Sequence, residues 1–195
     1  MKELLEKMII DSINSWTDKD IYAVSLYVSD EDGNPCKPTV TLGYNTERQY
    51  DSEASGDGLA SDEDEARWNY ACWLQNEFFV FGTGETADAV KKWVIESGFE
   101  YSENDNNDDC EDNENYDDEE NYDNEETSEI TKAFVAVLID IVKDIHKKGI
   151  LTAKFGKELP ILIHELEYYD EIAEQNIEAN GEDLAGDFAD WCQSW

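Results

Sequence analysis

Positive charge is scarce in this sequence. Its 195 residues hold 14 Lys plus Arg against 49 Asp plus Glu, a formal net charge of −35. A surface so negative repels phosphates, which argues against direct contact with DNA, RNA or an anionic membrane. The same field keeps a chain soluble, opposes its own compaction and steers basic partners toward it. Long apolar runs are missing as well. Met1 to Ile10 carries Glu3 and Glu6 among its apolar residues, and no extended apolar stretch follows. Neither a signal peptide nor a membrane span is read, and the expected compartment is the cytosol.

Cysteine pairs at short spacing are also lacking. Cys36, Cys72, Cys110 and Cys192 lie far apart and form no Cys-x-x-Cys. That pattern suits neither a zinc site nor a disulfide framework, so free thiols are expected. There are two histidines. His164-Glu165-Leu166-Glu167-Tyr168 matches a zincin helix for two positions and then lacks the second histidine that zinc needs. The expectation is that His164 and Glu165 end a strand and hydrogen-bond locally. Asp30-Glu31-Asp32-Gly33-Asn34 departs from a calcium loop because its glycine comes too early and the closing acid is missing, which leaves a hairpin turn. No glycine-flanked serine or Cys–His pairing stands out, and Gly82-Thr83-Gly84 is too short to cradle phosphate. Carboxylate pairs are so common that none is informative. No catalytic residue, metal or cofactor is expected, and the chain does not read as an enzyme.

What the sequence does contain is enough apolar content, 40%, for one core. Residues 3–15 place Leu4, Leu5, Met8, Ile9 and Ile13 on one helical face. Ile21–Ser29 reads as a buried strand, Asp32-Gly33 as a tight turn and Thr39–Tyr44 as the return strand. Residues 51–65 read as an acidic loop, followed by the aromatic knot Arg67-Trp68-Asn69-Tyr70-Ala71-Cys72-Trp73-Leu74. A short strand is expected over Phe78–Phe81 and a helix over Thr86–Ser97, with Ala87, Val90, Trp93 and Val94 inward and Gly98 ending it.

Residues 100–129 hold 16 acids, no bases and almost no aliphatics, so disorder is their expected state. The other 165 residues still carry 33 acids and 14 bases, a net −19. Helical spacing resumes with Ile130, Phe134, Val137, Leu138, Ile141 and Ile145, and cations crowd the last turns before Gly149. Leu159–Ile163 reads as a strand. Tyr169–Ile177 and Asp183–Trp195 read as short helices parted by Asn180-Gly181. The expected fold is α+β: a single domain with a small, mostly antiparallel sheet packed by helices, plus the disordered acidic insert. Residues 1–99 and 130–195 form two parts of that one domain, the second mainly helical, with 100–129 inserted between them.

Trp68, Tyr70 and Trp73, with Trp191 and Trp195, suit core clusters first, since aromatic rings dominate core energetics. Read as interface anchors, aromatics ringed by acids would mark a docking surface. Tyr168 and Tyr169, between Glu165, Glu167, Asp170 and Glu171, fit that second reading best.

Several stretches resemble the successive motifs of a bacterial domain family of unknown function encoded among polymorphic toxin systems. They are Tyr22-Ala23-Val24-Ser25-Leu26-Tyr27, Tyr44-Asn45-Thr46-Glu47, Arg67-Trp68 to Trp73, and Phe155 through Tyr169 with Ala179-Asn180. The resemblance covers most of the chain outside the acidic insert, which departs from the family pattern. It implies an immunity protein that neutralises a cognate toxin, and it carries over no catalytic residues.

The leading expectation joins these observations. The chain would bind a cognate basic toxin, a nuclease being one candidate, and block its active site, because an acidic surface can occupy a cleft built for phosphates. The expected contacts are Asp62, Glu63, Asp64, Glu65, Glu165, Glu167, Tyr168 and Tyr169. An acidic nucleic-acid mimic that inhibits DNA-binding or restriction machinery is the alternative. A metal-dependent enzyme using His164, and simple adaptation to high salt, are weaker readings.

Overall fold

The computed structural model describes residues 1–102 and 128–194. Expectations for the rest of the acidic segment, for Cys110 and for Trp195 fall outside them. The elements in chain order are α1 (Lys2–Ser15), β1 (Ile21–Asp30), β2 (Pro38–Thr46), α2 (Glu47–Ser52), α3 (Glu63–Trp68), β3 (Phe79–Phe81), α4 (Ala87–Glu96), α5 (Glu129–Lys147), α6 (Ile150–Phe155), β4 (Ile161–His164), α7 (Asp170–Asn180) and α8 (Glu182–Cys192).

The four strands form one sheet in the order β3-β2-β1-β4. β1 pairs antiparallel with β2, and β2 antiparallel with β3. β4 runs parallel to β1, from Val24 opposite Ile161 to Tyr27 opposite His164. The sheet is therefore mixed but mostly antiparallel, within a single α+β domain. The late strand β4 lies in the same sheet as the early hairpin, so the chain on both sides of the acidic segment builds one core.

Helices cover both sheet faces. On one, Val24, Leu26 and Val28 of β1 and Ile161 and Ile163 of β4 pack with Leu5, Ile9 and Ile13 of α1, Val90 and Val94 of α4, and the apolar side of α5. On the other, Tyr22, Ala23 and Leu162 pack with Trp68, Trp73, Ile172, Phe188 and Trp191. Burial from both sides explains why β1 reads as a nearly continuous apolar run rather than an alternation. The buried face of α5 is wider than the expected stripe, Val135, Ile139 and Val142 joining it while Val137 is half-buried, because α1, α6 and α7 pack against this helix as well as the sheet. In α1 the buried residues are Leu5, Ile9 and Ile13, and Leu4 is exposed.

Local signals explain several boundaries. Asp32 and Gly33 both take positive φ, 57° and 71°, and the Asn34 N–H reaches the Glu31 carbonyl. That is the mirror-image turn favoured by Asp-Gly. Gly98 at φ 89° ends α4: its N–H bonds the Ile95 carbonyl, and the Phe99 N–H reaches back to Val94. Ser128 caps α5 by accepting from the Thr131 N–H.

Two expectations need correction. Residues 51–65 are not simply a loop, since α2 ends within them and Glu63–Glu65 are the first turn of α3. The cap at Asp62 was hidden among so many acids that it read as one more polar residue. Nor are all cysteines free. Cys36 is disulfide-bonded, whereas Cys72 and Cys192 are free and buried. Spacing along a chain does not report which cysteines a fold brings together.

The outer edge of β4 is closed by side chains. Asn176 accepts from the Ile163 N–H at 2.8 Å and donates to the Ile163 carbonyl at 2.7 Å. One turn on, Asn180 does the same for Ile161, at 2.8 and 3.0 Å. Two amides on one helix face thus stand in for a neighbouring strand, blunting an edge that would otherwise invite pairing with another chain.

Candidate functional site

The loop that carries Glu165, Glu167, Tyr168 and Tyr169 meets the turn that follows α3, whose first residues are Glu63, Asp64 and Glu65. α3 runs into a 3-10 turn at Tyr70–Cys72, and the backbone N–H of Tyr70 donates to the Tyr168 hydroxyl at 2.9 Å. This bond ties the end of α3 to the loop between β4 and α7. Beside it a cleft of about 290 Å³ is lined by Asn69, Leu166, Glu167 and Tyr168.

The expected contacts divide by what they touch. Asp62 accepts from the Glu65 N–H at 2.8 Å, capping α3. Glu65 accepts from both the N–H and the hydroxyl of Ser61, at 2.7 and 2.6 Å, which holds its carboxyl below the usual range. Both acids are therefore engaged in shaping the start of the helix. Glu63 and Asp64 are exposed and form no ion pair among the described residues.

Tyr168 is half-buried. Its ring meets Trp191 edge-on, centroids 4.6 Å apart, and also faces Phe188. Burial pushes its phenol pKa up. It acts as a strut that fixes the loop more than as an open anchor. Glu167 is exposed, and Glu165 is partly buried. Burial raises the Glu165 carboxyl, opposed by the hydrogen bond from Tyr169 and reinforced by the charge of Glu167. Tyr169 is half-buried against the second cluster and supplies that bond.

Leu166 escaped the sequence reading. It is 67% exposed at the crest of the loop, between Glu165 and Glu167. A leucine beside a cleft and flanked by acids is what an interface anchor needs, and only the structure shows that it points outward. Asn69, also in the cleft lining, accepts from the Ala71 N–H and so shapes the turn after α3.

Arg67 organises the region from beneath. Its guanidinium lies 4.1 Å from the Tyr22 ring centroid and 4.9 Å from that of Tyr50. It also forks onto both oxygens of Glu47, at 2.9 and 3.2 Å. Its carbonyl accepts from the Tyr22 hydroxyl at 2.5 Å and from the Trp73 indole N–H at 2.9 Å. The aromatic knot is thus pinned to β1 and holds its position under the acidic rim.

His164 ends β4, as expected from the sequence. Its Nδ1–H donates to the Glu165 carbonyl at 3.0 Å, so Nε2 accepts from the Ser25 hydroxyl at 2.8 Å. A serine hydrogen-bonded to a histidine has the outline of a nucleophile and its base. Here both are 1% exposed, and the rings of Tyr70, Trp73 and Tyr27 surround the imidazole. Burial depresses the imidazole to about 4. The pair is closed off from solvent in this structure and links β1 to β4.

The free thiols are equally shielded, burial pushing Cys72 up to about 11 and Cys192 up to about 12. Among the described residues no group of three or more His, Cys, Asp or Glu is arranged to hold a metal ion. None of their helices is long and apolar enough to cross a membrane.

Comparison with protein-family models, with curated proteins and with solved structures returns no match. The functional reading therefore rests on the geometry of this chain.

Proposed function

We propose that this chain is an immunity protein: it binds a cognate basic toxin in the cytosol and covers the toxin's active site, without catalysis of its own. Glu63 and Asp64 stand exposed at the start of α3, and the observation that carries the reading is the meeting of the turn after α3 with the loop bearing Glu165, Leu166 and Glu167, at a cleft that Leu166 and Glu167 line. The Tyr70–Tyr168 hydrogen bond holds them together. Exposed acids without basic partners offer an incoming cationic surface a long-range pull, and Leu166 offers an apolar contact at the centre. A nuclease cleft, built to hold phosphates, would complement such a face. The Cys36 disulfide is favoured by oxidising conditions, whereas a reducing cytosol favours the free thiol. Counting free thiols after rapid alkylation in cells tests the compartment separately.

The test of function is capture of the toxin-like product of the adjacent gene by the purified protein at low and high salt. A one-to-one complex that abolishes toxicity is expected. Glu63→Lys with Asp64→Lys should slow association about tenfold or more at low salt, with less effect at high salt. Leu166→Asp should shorten the lifetime of the complex. No complex with that toxin, together with capture of assorted DNA-binding proteins that duplex DNA displaces, would overturn the reading in favour of a nucleic-acid mimic.

A further inference from the structure

His146 lies in the last turn of α5, where the helix dipole favours a cation, and it is partly buried between two acceptors. Its Nδ1 stands 2.8 Å from Glu158 Oε2, in the connection from α6 to β4. Its Nε2 stands 3.0 Å from the side-chain oxygen of Asn180, on α7.

The orientation of Asn180 is fixed by its other bonds. Its amide nitrogen donates to the Ile161 carbonyl at 3.0 Å and to the Asn176 carbonyl at 3.1 Å, and its oxygen accepts from the Ile161 N–H at 2.8 Å. Turning the amide over would set its nitrogen against that N–H, so the oxygen faces the ring and Nε2 must carry a proton. Glu158 makes the same demand of Nδ1. Burial opposes its charge, but hydrogen bonds from Thr152 and His146 outweigh burial and hold the carboxyl below its usual range. A carboxylate only accepts, and a neutral imidazole has one N–H to give. Both contacts together are those of an imidazolium.

The other charges nearby are engaged elsewhere or exposed. Lys143, one turn earlier on α5, pairs with Glu178 of α7, Asp144 with Lys2, and Lys148 with Glu6 of α1. Lys154 of α6 donates to the Asn14 carbonyl at the end of α1. Lys147 and Lys157 are exposed, and the residues of β4 that pack with α5, Ile161 and Ile163, are apolar. Among the described residues Glu158 is the one charged group bonded to the ring.

We infer that His146 is a proton-gated latch on the outer edge of β4: its cation holds Asn180 over Ile161, and loss of the proton lets that end of the edge open. The neutral ring keeps its N–H for the carboxylate, the stronger acceptor, and turns a lone pair on the Asn180 oxygen. That oxygen cannot turn away without giving up Ile161. The set of bonds is therefore complete on the acid side and is lost as pH rises. An edge amide left unpaired is open to water and to another strand. The latch needs no partner, so it stands or falls apart from the proposed function.

Amide exchange along β4 of the full-length protein tests it, from about pH 5 to about pH 9. Ile163, covered by Asn176, corrects for the intrinsic rise of exchange with pH. The ratio of the Ile161 rate to the Ile163 rate should climb about tenfold across that range. Glu158→Gln is the control. Its amide can accept from Thr152 and donate to Nδ1 of a neutral ring, leaving the Nε2–H for Asn180, so its ratio should stay low and flat. NMR of the ring nitrogens should show both protonated in the parent at a pH where Glu158→Gln retains the Nε2 proton alone. A flat ratio in the parent would overturn the inference. So would a Glu158→Gln ratio that climbs as the parent's does, or rings that lose the proton together in the two proteins.

Discussion

At the scale of single residues, one buried and one half-buried ionisable group push stability in opposite directions with pH. His164 has a folded pKa of about 4, below the ordinary value of about 6.5, because burial disfavours its cation. Above about 6.5 both states are neutral at this site and its contribution is intact. As pH falls toward 4 the unfolded chain takes up a proton that the native state refuses, and stability is lost. Asp30 shows the converse. Burial, with the charge of Glu165 second, pushes it up to about 6, and its buried Oδ1 has no hydrogen-bond partner among the described residues. Its favourable contribution is complete below the unfolded value of about 3.9 and is gone once pH has risen through 6. Relative to His164→Gln, the parent should therefore lose about 2–3 kcal/mol of unfolding free energy between pH 7 and pH 4.5. Asp30→Asn should gain about 1–2 kcal/mol at pH 7, after allowance for partial exposure, and little at pH 4. Urea titrations across that range test both. A His164→Gln profile parallel to the parent's, or an Asp30→Asn gain that ignores pH, would refute the assignment.

At the scale of elements, the asparagine pair on α7 makes the strongest claim. Asn176 is fully buried and satisfies both backbone groups of Ile163 while also donating to the Ile172 carbonyl. Asn176→Ala should cost about 2–4 kcal/mol, because it strands a buried N–H as well as opening a cavity. Amide exchange at Ile163 should accelerate more than at Ile161, which Asn180 still covers. Equal protection at both positions would mean that water or the helix backbone replaces the side chain.

This ladder also shows where sequence reading stops. The strands over Ile21–Ser29 and Thr39–Tyr44 and the helix from Ile130 were legible because hydrophobic period and turn chemistry are local properties. That β4 lies parallel beside β1 was not, since nothing in Leu159–Ile163 names its neighbour. Asn176 looked like an ordinary polar residue of a short helix, and its role exists only once β4 is alongside. The site was legible by halves for the same reason. The acids and tyrosines could be selected by composition. Asp62 and Glu65 are engaged locally at the start of α3, whereas the bracing role of Tyr168 exists only through its long-range contact with Tyr70, and the outward position of Leu166 is a property of the folded loop.

At the scale of the whole molecule, the excess of 35 acids over bases outweighs any census of ion pairs. Pairs such as Lys7–Asp11 and Lys92–Glu96 are exposed, and each contributes at most about 1 kcal/mol. Most carboxylates have no cation to meet and repel one another across the surface. Salt should therefore stabilise this protein. Screening shortens from about 10 Å at 0.1 M to about 3 Å at 1 M, which weakens repulsion among many charges more than it weakens a few exposed attractions. The thermal midpoint should rise steadily from low salt through moderate sodium chloride. Sodium chloride and potassium fluoride at equal ionic strength should act alike at the low end, where screening rather than ion-specific exclusion dominates. A flat or falling midpoint would mean that the described ion pairs matter more than the net charge. Folding only in molar salt would instead identify the acidity as a high-salt adaptation and remove the need for a basic partner to explain it. Cooperative folding already at low salt, with the midpoint rising from there, leaves the charge available for recognition.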